Sequence, residues 1–378
     1  MIRSTVARVD LAALQANFRA IQAFVADDTR VPPQLIAVVK ANAYGHGAAR
    51  VALALEQAGA TMLACADIEE GIVLRRAGVR VPILVFGALS VSDLDGLFEF
   101  ALTPTISTPS AARAVQAAAA RHRTTLGFHL KIDTGMNRLG FRHDNLGRTL
   151  PELLGSANLR LEAVYSHFAT ADLPGHELFE QQRTRFEAAL AAMGPPPAGA
   201  SPVLRHAANS AALLRDSRVW YDVVRPGLLL YGIVPPPLAS TVPLVPVMSL
   251  ASRVVAVKGL RPGESVGYGA RFRAEAPSTI AVVPAGYADG LDLRLEGRGH
   301  VLIRGRRAPI VGAVSMDMIT VDVTGLGDVE PGDPVVLIGR QGDEPWQRID
   351  VREMAAAIGT IPYEIVCRIG ARIERQYV

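Results

Sequence analysis

The chain has 378 residues, 49% of them hydrophobic and 20% charged, with a formal net charge of +3. That length implies two domains with sizeable cores, and the composition excludes a mostly disordered chain. So mild a charge, with no Lys/Arg block and no apolar run of membrane length, points away from nucleic acid and membrane partners and toward small molecules.

Met1-Ile-Arg-Ser-Thr5 lacks the apolar core of a signal peptide, so a soluble cytoplasmic protein is expected. Cys65 and Cys367 lie far apart, which suggests neither a disulfide framework nor a metal site. In chain order, residues 6–11 read as a strand, and Asp10 caps an apolar-periodic helix to about residue 25. Strand and helix then alternate. Strands are expected at 35–40, 62–66, 83–86, 102–106, 126–133, 161–167, 203–207 and 222–224. The helices between them fall at 48–57, 68–76, 90–100, 110–121, 146–154, 177–192 and 210–215, with Asp67 capping the second. Eight β-then-α units with short links predict a closed parallel (β/α)8 barrel. The alternative, a doubly wound open sheet, lacks a Gly-x-Gly-x-x-Gly fingerprint.

After Pro235-Pro-Pro237 the texture changes to β-branched runs punctuated by Gly and Pro, at 253–257, 279–283, 300–303, 319–323 and 334–338. One helix stands out there, at 351–358, capped by Asp350 and ended by Gly359. The expected organisation is a barrel domain over residues 1–236 and a mostly β domain over 237–378, with residues 1–10 candidates to pair with the second.

One stretch concentrates chemistry. The apolar run Leu35-Ile-Ala-Val-Val39 ends in Lys40, and a small-residue turn follows, Ala-Asn-Ala-Tyr44-Gly-His-Gly47. Among 39 Lys plus Arg residues only three are lysines: Lys40, Lys131 and Lys258. A lysine kept in an arginine-rich chain suggests a primary amine that forms an imine with an aldehyde, which a guanidinium cannot do. Other polar residues also fall at expected strand ends, where barrel enzymes place their chemistry: Tyr44, Lys131 to Arg138, His167, Asn209-Ser210, and Arg225 with Gly227-Leu228. Ser210 and the Gly227 loop follow the last two strands, the usual place of a barrel's phosphate site. Taken alone, Ser210 reads equally well as a helix N-cap.

Val38-Val-Lys-Ala-Asn-Ala-Tyr-Gly-His-Gly47 resembles the pyridoxal-phosphate attachment signature of the alanine racemases, and the resemblance extends along the whole chain. It implies a racemase that interconverts L- and D-alanine by a two-base mechanism through an external aldimine, supplying D-alanine for peptidoglycan. Lys40 would hold pyridoxal 5'-phosphate and serve the D face of Cα, while Tyr268, in Val266-Gly-Tyr-Gly269, would serve the L face. Arg138 would contact cofactor and substrate carboxylate, braced by Lys131 as a carbamylated lysine; Asp133 and Arg138 read alone as a turn ion pair. Arg225 would face the pyridine nitrogen, with His167 hydrogen-bonded to it, although a lone strand histidine is more often core. Tyr44, Asn209, Ser210, Gly227, Leu228 and Tyr363 would complete the cofactor site.

Met316 and Asp317 would receive the substrate, Tyr287 and Tyr363 would line the entrance, and no metal is implied. Since Tyr268, Met316 and Asp317 reach the site from the partner subunit in this family, a homodimer with composite sites is implied. Two departures stand out: Ser315 replaces a common cysteine, and Val6-Ala-Arg-Val-Asp10 replaces a segment with tryptophan and glutamate. A broad-specificity racemase on the same scaffold and a non-catalytic pyridoxal-phosphate carrier are the alternatives.

Overall fold

The computed structural model describes residues 4–26, 31–89, 93–194 and 201–378. Its contacts divide the chain into two units, one of 15–43 and 48–244, the other of 1–14, 44–47 and 245–378.

Strand β1 (Val6–Val9) opens the chain, followed by the helix Leu11–Ala26, and Asp10 Oδ1 accepts from Ala13 N at 2.8 Å. The first unit carries β2 (Gln34–Val38), β3 (Met62–Cys65), β4 (Ile83–Val85), β5 (Thr103–Ile106), β6 (Leu126–Asp133), the two-residue β7 (Phe141–Arg142), β8 (Leu159–Tyr165), β9 (Leu204–Asn209) and β10 (Val223–Arg225). Leaving β7 aside, eight strands pair in parallel around a closed circuit: β10 pairs β2 and β5 pairs β6. This is the expected (β/α)8 barrel. Closure removes every free strand edge, and helices cover the outside.

Strand β6 shows how the barrel places chemistry. Side chains alternate across a strand. Phe128, Leu130 and Ile132 therefore share one face, and His129, Lys131 and Asp133 share the other. The residues from Phe128 to Ile132 are all buried, as expected for a strand covered on both sides.

In the second unit follow β11 (Met248–Arg253), β12 (Ala256–Leu260), β13 (Ser265–Val266), β14 (Phe272–Arg273), β15 (Ser278–Val283), β16 (His300–Ile303), β17 (Arg306–Val311), β18 (Ile319–Asp322), β19 (Pro334–Gln341), β20 (Gln347–Ile349) and β21 (Glu374–Tyr377). Ten of its strands form one sheet, in which β1 lies antiparallel to β11 and parallel to β21. Strands β13 and β14 form a separate hairpin.

Several elements differ from expectation. The run 253–257 belongs to two strands, because the chain breaks at Val254 and Val255. The expected helix 90–100 is the single turn Asp95–Glu99, and residues 90–92 lie outside the described residues. A second helix, Pro362–Cys367, carries Tyr363; proline at its first position is well placed to start it. The helix Val351–Ile358 has its expected Asp350 cap and a left-handed Gly359. Among the described residues no helix is long and apolar enough to cross a membrane, and no cluster of metal-ligating side chains occurs.

Candidate active site

Strand β2 ends two residues before Lys40, and the chain then makes a left-handed turn. Ala41, Asn42 and Ala43 have φ of 52, 53 and 54°, with ψ of 52, 46 and 50°. Tyr44 follows with φ of 52°, and left-handed geometry costs an L-residue about 1–2 kcal/mol, so four in succession need compensation. Hydrogen bonds supply it. Ala43 N donates to Val39 O at 2.8 Å, Ala41 N to Glu70 Oε1 at 2.7 Å, and Ala48 N to Asn42 Oδ1 at 2.8 Å. The small residues of Ala-Asn-Ala suit such a turn, since alanine adds little bulk and asparagine tolerates positive φ.

Around this strand end the barrel gathers cations. Lys131 is buried on β6, and its amine is pushed down to about 8, first by burial, then by the Arg138 and Arg225 guanidinium groups. Asp133 pulls it up and Lys40 pushes it down further, so these five groups share one electrostatic neighbourhood. The Lys131 Nζ lies 5.6 Å from the Tyr165 ring centre. Arg138 is exposed and makes no hydrogen bond or ion pair among the described residues. Asp133 instead accepts from Gly135 N (2.9 Å) and Asn137 N (3.1 Å). The reading of Asp133 and Arg138 as a turn ion pair is therefore set aside: the carboxylate shapes the turn and the guanidinium stays available.

Arg225 is buried on β10, and burial pushes its guanidinium down to about 10, still protonated at neutral pH. Its Nη1 donates to His206 Nδ1 at 2.7 Å, and Nη2 to Ser166 O (2.8 Å) and Ala207 O (3.0 Å). The family resemblance places His167 on this arginine. His167 Nδ1 does bond Nη2, at 3.4 Å, and a second histidine that no sequence motif marks, His206, makes the shorter contact.

Because arginine can only donate, His206 Nδ1 must accept, so the neutral ring carries its proton on Nε2. That proton points to His129 Nδ1 at 3.1 Å, which places the His129 proton on Nε2. Burial, then Arg225, holds both rings neutral: His129 is lowered to about 3 and His206 well below its usual range. Burial and then Arg225 hold His167 well below its usual range too. The Tyr165 ring stacks on His206 at 4.6 Å, and its hydroxyl is 3.1 Å from Thr105 Oγ1. Arg225 Nε and the second Nη1 hydrogen take no acceptor among the described residues, which leaves donors for a ligand.

Asn209, not Ser210, caps the helix after β9: its Oδ1 accepts from Ala212 N at 2.9 Å. The N-cap alternative for Ser210 thus falls. Ser210 Oγ accepts from Gly227 N (2.9 Å) and Leu229 N (3.4 Å), tying the loops after the last two barrel strands together. A hydroxyl that accepts two amides keeps its own proton to donate, and Leu228 sits between those amides. This donor set suits an anion.

The second unit holds the remaining candidates. Tyr268 lies in a tight turn and is 78% exposed; Met316 is also exposed, and Tyr287 opens a short 3-10 turn. Met316 is held by its carbonyl, which accepts from Ala288 N (3.1 Å) and Arg372 Nη2 (3.2 Å). Its own N–H has no acceptor among the described residues. Arg372 also binds Asp317 Oδ1 (2.8 Å) and the fully buried Asp289 (2.7 Å). A Cβ on Gly286 would meet Ser315 O at 2.3 Å and Met316 O at 2.4 Å, so only glycine lets this segment pass. Ser315 Oγ donates to Met318 O (2.8 Å) and accepts from Met318 N (3.1 Å), closing the turn with a hydroxyl. Tyr44 and Tyr363 face each other with ring centres 6.0 Å apart, and burial, then Tyr363, raises the Tyr44 phenol far above its usual range.

No regular sequence pattern marks Arg372 or Asp289. His129 did leave a signal, since it alternates in step with Lys131 along β6.

An eight-stranded β/α barrel with a lysine at a strand end, free cationic and hydroxyl donors, and an appended β sheet defines a two-domain barrel enzyme for an anionic small molecule. Comparison with known proteins narrows this. Residues 9–235 match the alanine racemase N-terminal domain, and residues 247–377 the alanine racemase C-terminal domain. The alanine racemase of Symbiobacterium thermophilum is 43% identical over 100% of this chain and 97% of its own length. That of Carboxydothermus hydrogenoformans is 41% identical, covering 100% of both. Among solved structures, the alanine racemase from D-cycloserine producing Streptomyces lavendulae superposes with a TM-score of 0.92 at 35% identity, over 100% of this chain and 98% of that one. The Bacillus anthracis alanine racemase with bound L-Ala-P gives 0.89 at 36% identity, over 100% and 96%. The chain belongs to the alanine racemase family.

Proposed function

We propose that this enzyme racemises alanine with pyridoxal 5'-phosphate held on Lys40, and that it supplies D-alanine for peptidoglycan in the cytoplasm. The observation that carries the reading is the barrel's gathering of Lys40, Lys131, Arg138 and Arg225 in one neighbourhood, beside Asp133 and the neutral His167. The donors present fit the cofactor: the Ser210 hydroxyl proton and the Gly227–Leu228 loop suit its phosphate, and Arg225 Nε–H suits its ring nitrogen. When bound, the cofactor supplies an electron-withdrawing system that acidifies Cα of an attached amino acid.

The chain's own residues do the rest. Lys40 moves the proton on the D face of Cα, and Tyr268 moves it on the L face. Arg225, fixed by His206 and two carbonyls, offers a hydrogen bond at the ring nitrogen while keeping its proton. That tempers the cofactor's electron demand and disfavours side reactions. Arg138 and the free Met316 N–H hold the substrate carboxylate, with Asp317 fixing the turn through Arg372. Tyr44, His167 and Asn209 shape the cofactor pocket, and Tyr287 and Tyr363 narrow its entrance. Tyr268, Met316 and Asp317 act in the site of the partner subunit of a homodimer; their exposure in a single subunit supports this reading.

Lys131 acts as a carbamate. Its amine, lowered to about 8, is a good nucleophile for CO2 when neutral. The N–C bond forms, one proton leaves, and the resulting anion pairs with Arg138. Intact-protein mass spectrometry in bicarbonate is expected to show one added CO2, absent in Lys131→Met; an unmodified wild type overturns the assignment.

The function is tested by incubating the cofactor-loaded protein separately with L-alanine, L-serine, L-arginine and L-lysine and resolving products by chiral chromatography. Conversion of L-alanine alone to an equal mixture is expected. Conversion of several substrates makes it a broad-specificity racemase on the same scaffold. No conversion, with cofactor still fixed by borohydride, makes it a carrier and removes Tyr268 from the mechanism. Lys40→Ala is expected to lose both covalent cofactor and turnover.

A further inference from the structure

Glu70 lies on the helix Ile68–Arg76, whose N-cap is Asp67, and none of the roles above uses it. Its carboxylate spans the ends of two neighbouring barrel strands. Oε1 accepts from Ala41 N at 2.7 Å, the first amide after Lys40, and Oε2 accepts from Ala66 N at 2.8 Å, the first residue after β3. Its own amide is held by Asp67 Oδ1 at 2.8 Å, so the helix start that carries it is itself fixed.

The amide it grips belongs to Ala41, the first residue of the left-handed turn. A non-glycine chain does not hold that conformation unaided, and relaxation of Ala41 toward right-handed space would rotate the Lys40–Ala41 peptide. Lys40 would then leave the strand end in a different direction. An ionised carboxylate between two amide donors makes charge-assisted bonds, which are shorter and stronger than neutral ones.

We infer that Glu70 is a positioning residue for Lys40: by bridging the amides of Ala41 and Ala66 it holds the left-handed turn that aims the lysine amine at Cα. The inference rests on Lys40 serving the D face. Both directions of reaction use Lys40, which removes the Cα proton of D-alanine or delivers it to form D-alanine, so both slow together; the isotope effect on proton removal from D-alanine reports Lys40, and that from L-alanine reports Tyr268.

The test compares wild type, Glu70→Gln and Glu70→Asp, with active sites counted by borohydride-fixed cofactor. Glutamine keeps the shape but replaces one acceptor with an NH2 that faces a backbone N–H; aspartate keeps the charge but reaches only one amide. A misplaced catalytic group costs on the order of ten- to a hundredfold in rate. Glu70→Gln is expected to lose about that much kcat per active site, with little change in KM, and Glu70→Asp to lose less. The deuterium isotope effect with Cα-deuterated D-alanine is expected to rise in Glu70→Gln, while that with Cα-deuterated L-alanine falls toward unity as the Lys40 step comes to limit both directions.

A general loss of folding removes active sites and leaves both isotope effects unchanged. Unchanged isotope effects and unchanged kcat per site in both variants overturn the inference. Should Glu70→Gln yield no folded protein, the same D-specific rise in Glu70→Asp decides it, and its absence there overturns it. Failure of the underlying reading shows separately, as turnover surviving in Lys40→Ala.

Discussion

At the scale of single residues, the barrel interior keeps the Arg225 guanidinium charged beside histidines that stay neutral. His129 and His206 gain this state from burial, and their arrangement has a pH consequence. Both folded values lie below the unfolded value of about 6.5. As pH falls through that value the unfolded chain takes up a proton at each histidine, and the folded chain does not until about 3 at His129. Stability is therefore complete above about pH 6.5 and declines below it, by at most about 1.4 kcal/mol per pH unit for each histidine. Denaturant unfolding between pH 6.5 and 5, above most carboxylate titration, should show this slope. His129→Gln keeps an acceptor for the His206 Nε2 proton and should lower the slope by one proton. An equal slope in the variant would mean that His129 is protonated in the folded state.

At the scale of elements, the legible parts of the sequence were those with a local physical cause. Strand runs flanked by small-residue turns gave the eight barrel strands, and Asp10, Asp67 and Asp350 marked helix starts because their carboxylates had amides to accept. Lys40 and Arg225 were legible through contiguous motifs. What stayed hidden depends on pairings between distant segments. His206 meets Arg225 only because β9 and β10 lie side by side, and no spacing within the chain announces which histidine will be nearer. Asn209 took the cap from Ser210 for a similar reason: the serine hydroxyl was already occupied by amides of the next loop. The left-handed turn after Lys40 ran against propensity altogether. Its conformation is set by Glu70 and Asn42, whose partners become evident only once the strand ends are assembled.

At the scale of the whole molecule, the proposed composite site makes activity a property of pairs of subunits. Lys40→Ala and Tyr268→Phe subunits each lack one base, so each alone should be nearly inactive. Unfolding and refolding the two together produces mixed dimers in which one site pairs an intact Lys40 with an intact Tyr268. For equal amounts and random pairing, about a quarter of wild-type activity should return, since half the dimers are mixed and half their sites are whole. No recovery from dimers shown to have exchanged would place both residues in the site of a single subunit.

The β sheet of the second unit also ties the chain's history to its shape. Strand β1 is bonded on one side to β11 and on the other to β21, and the pairing continues through Leu11 N to Val378 O at 3.0 Å. On the ribosome, β1 emerges before all eight barrel strands and must wait through their synthesis for one neighbour and through the rest of the sheet for the other. One side of β1 can pair once residues 248–253 are made, and the other only after residues 374–377 have followed. The barrel strands carry no such debt, since each finds its neighbours among segments made shortly before or after it, save the one pairing of β10 with β2 that closes the ring.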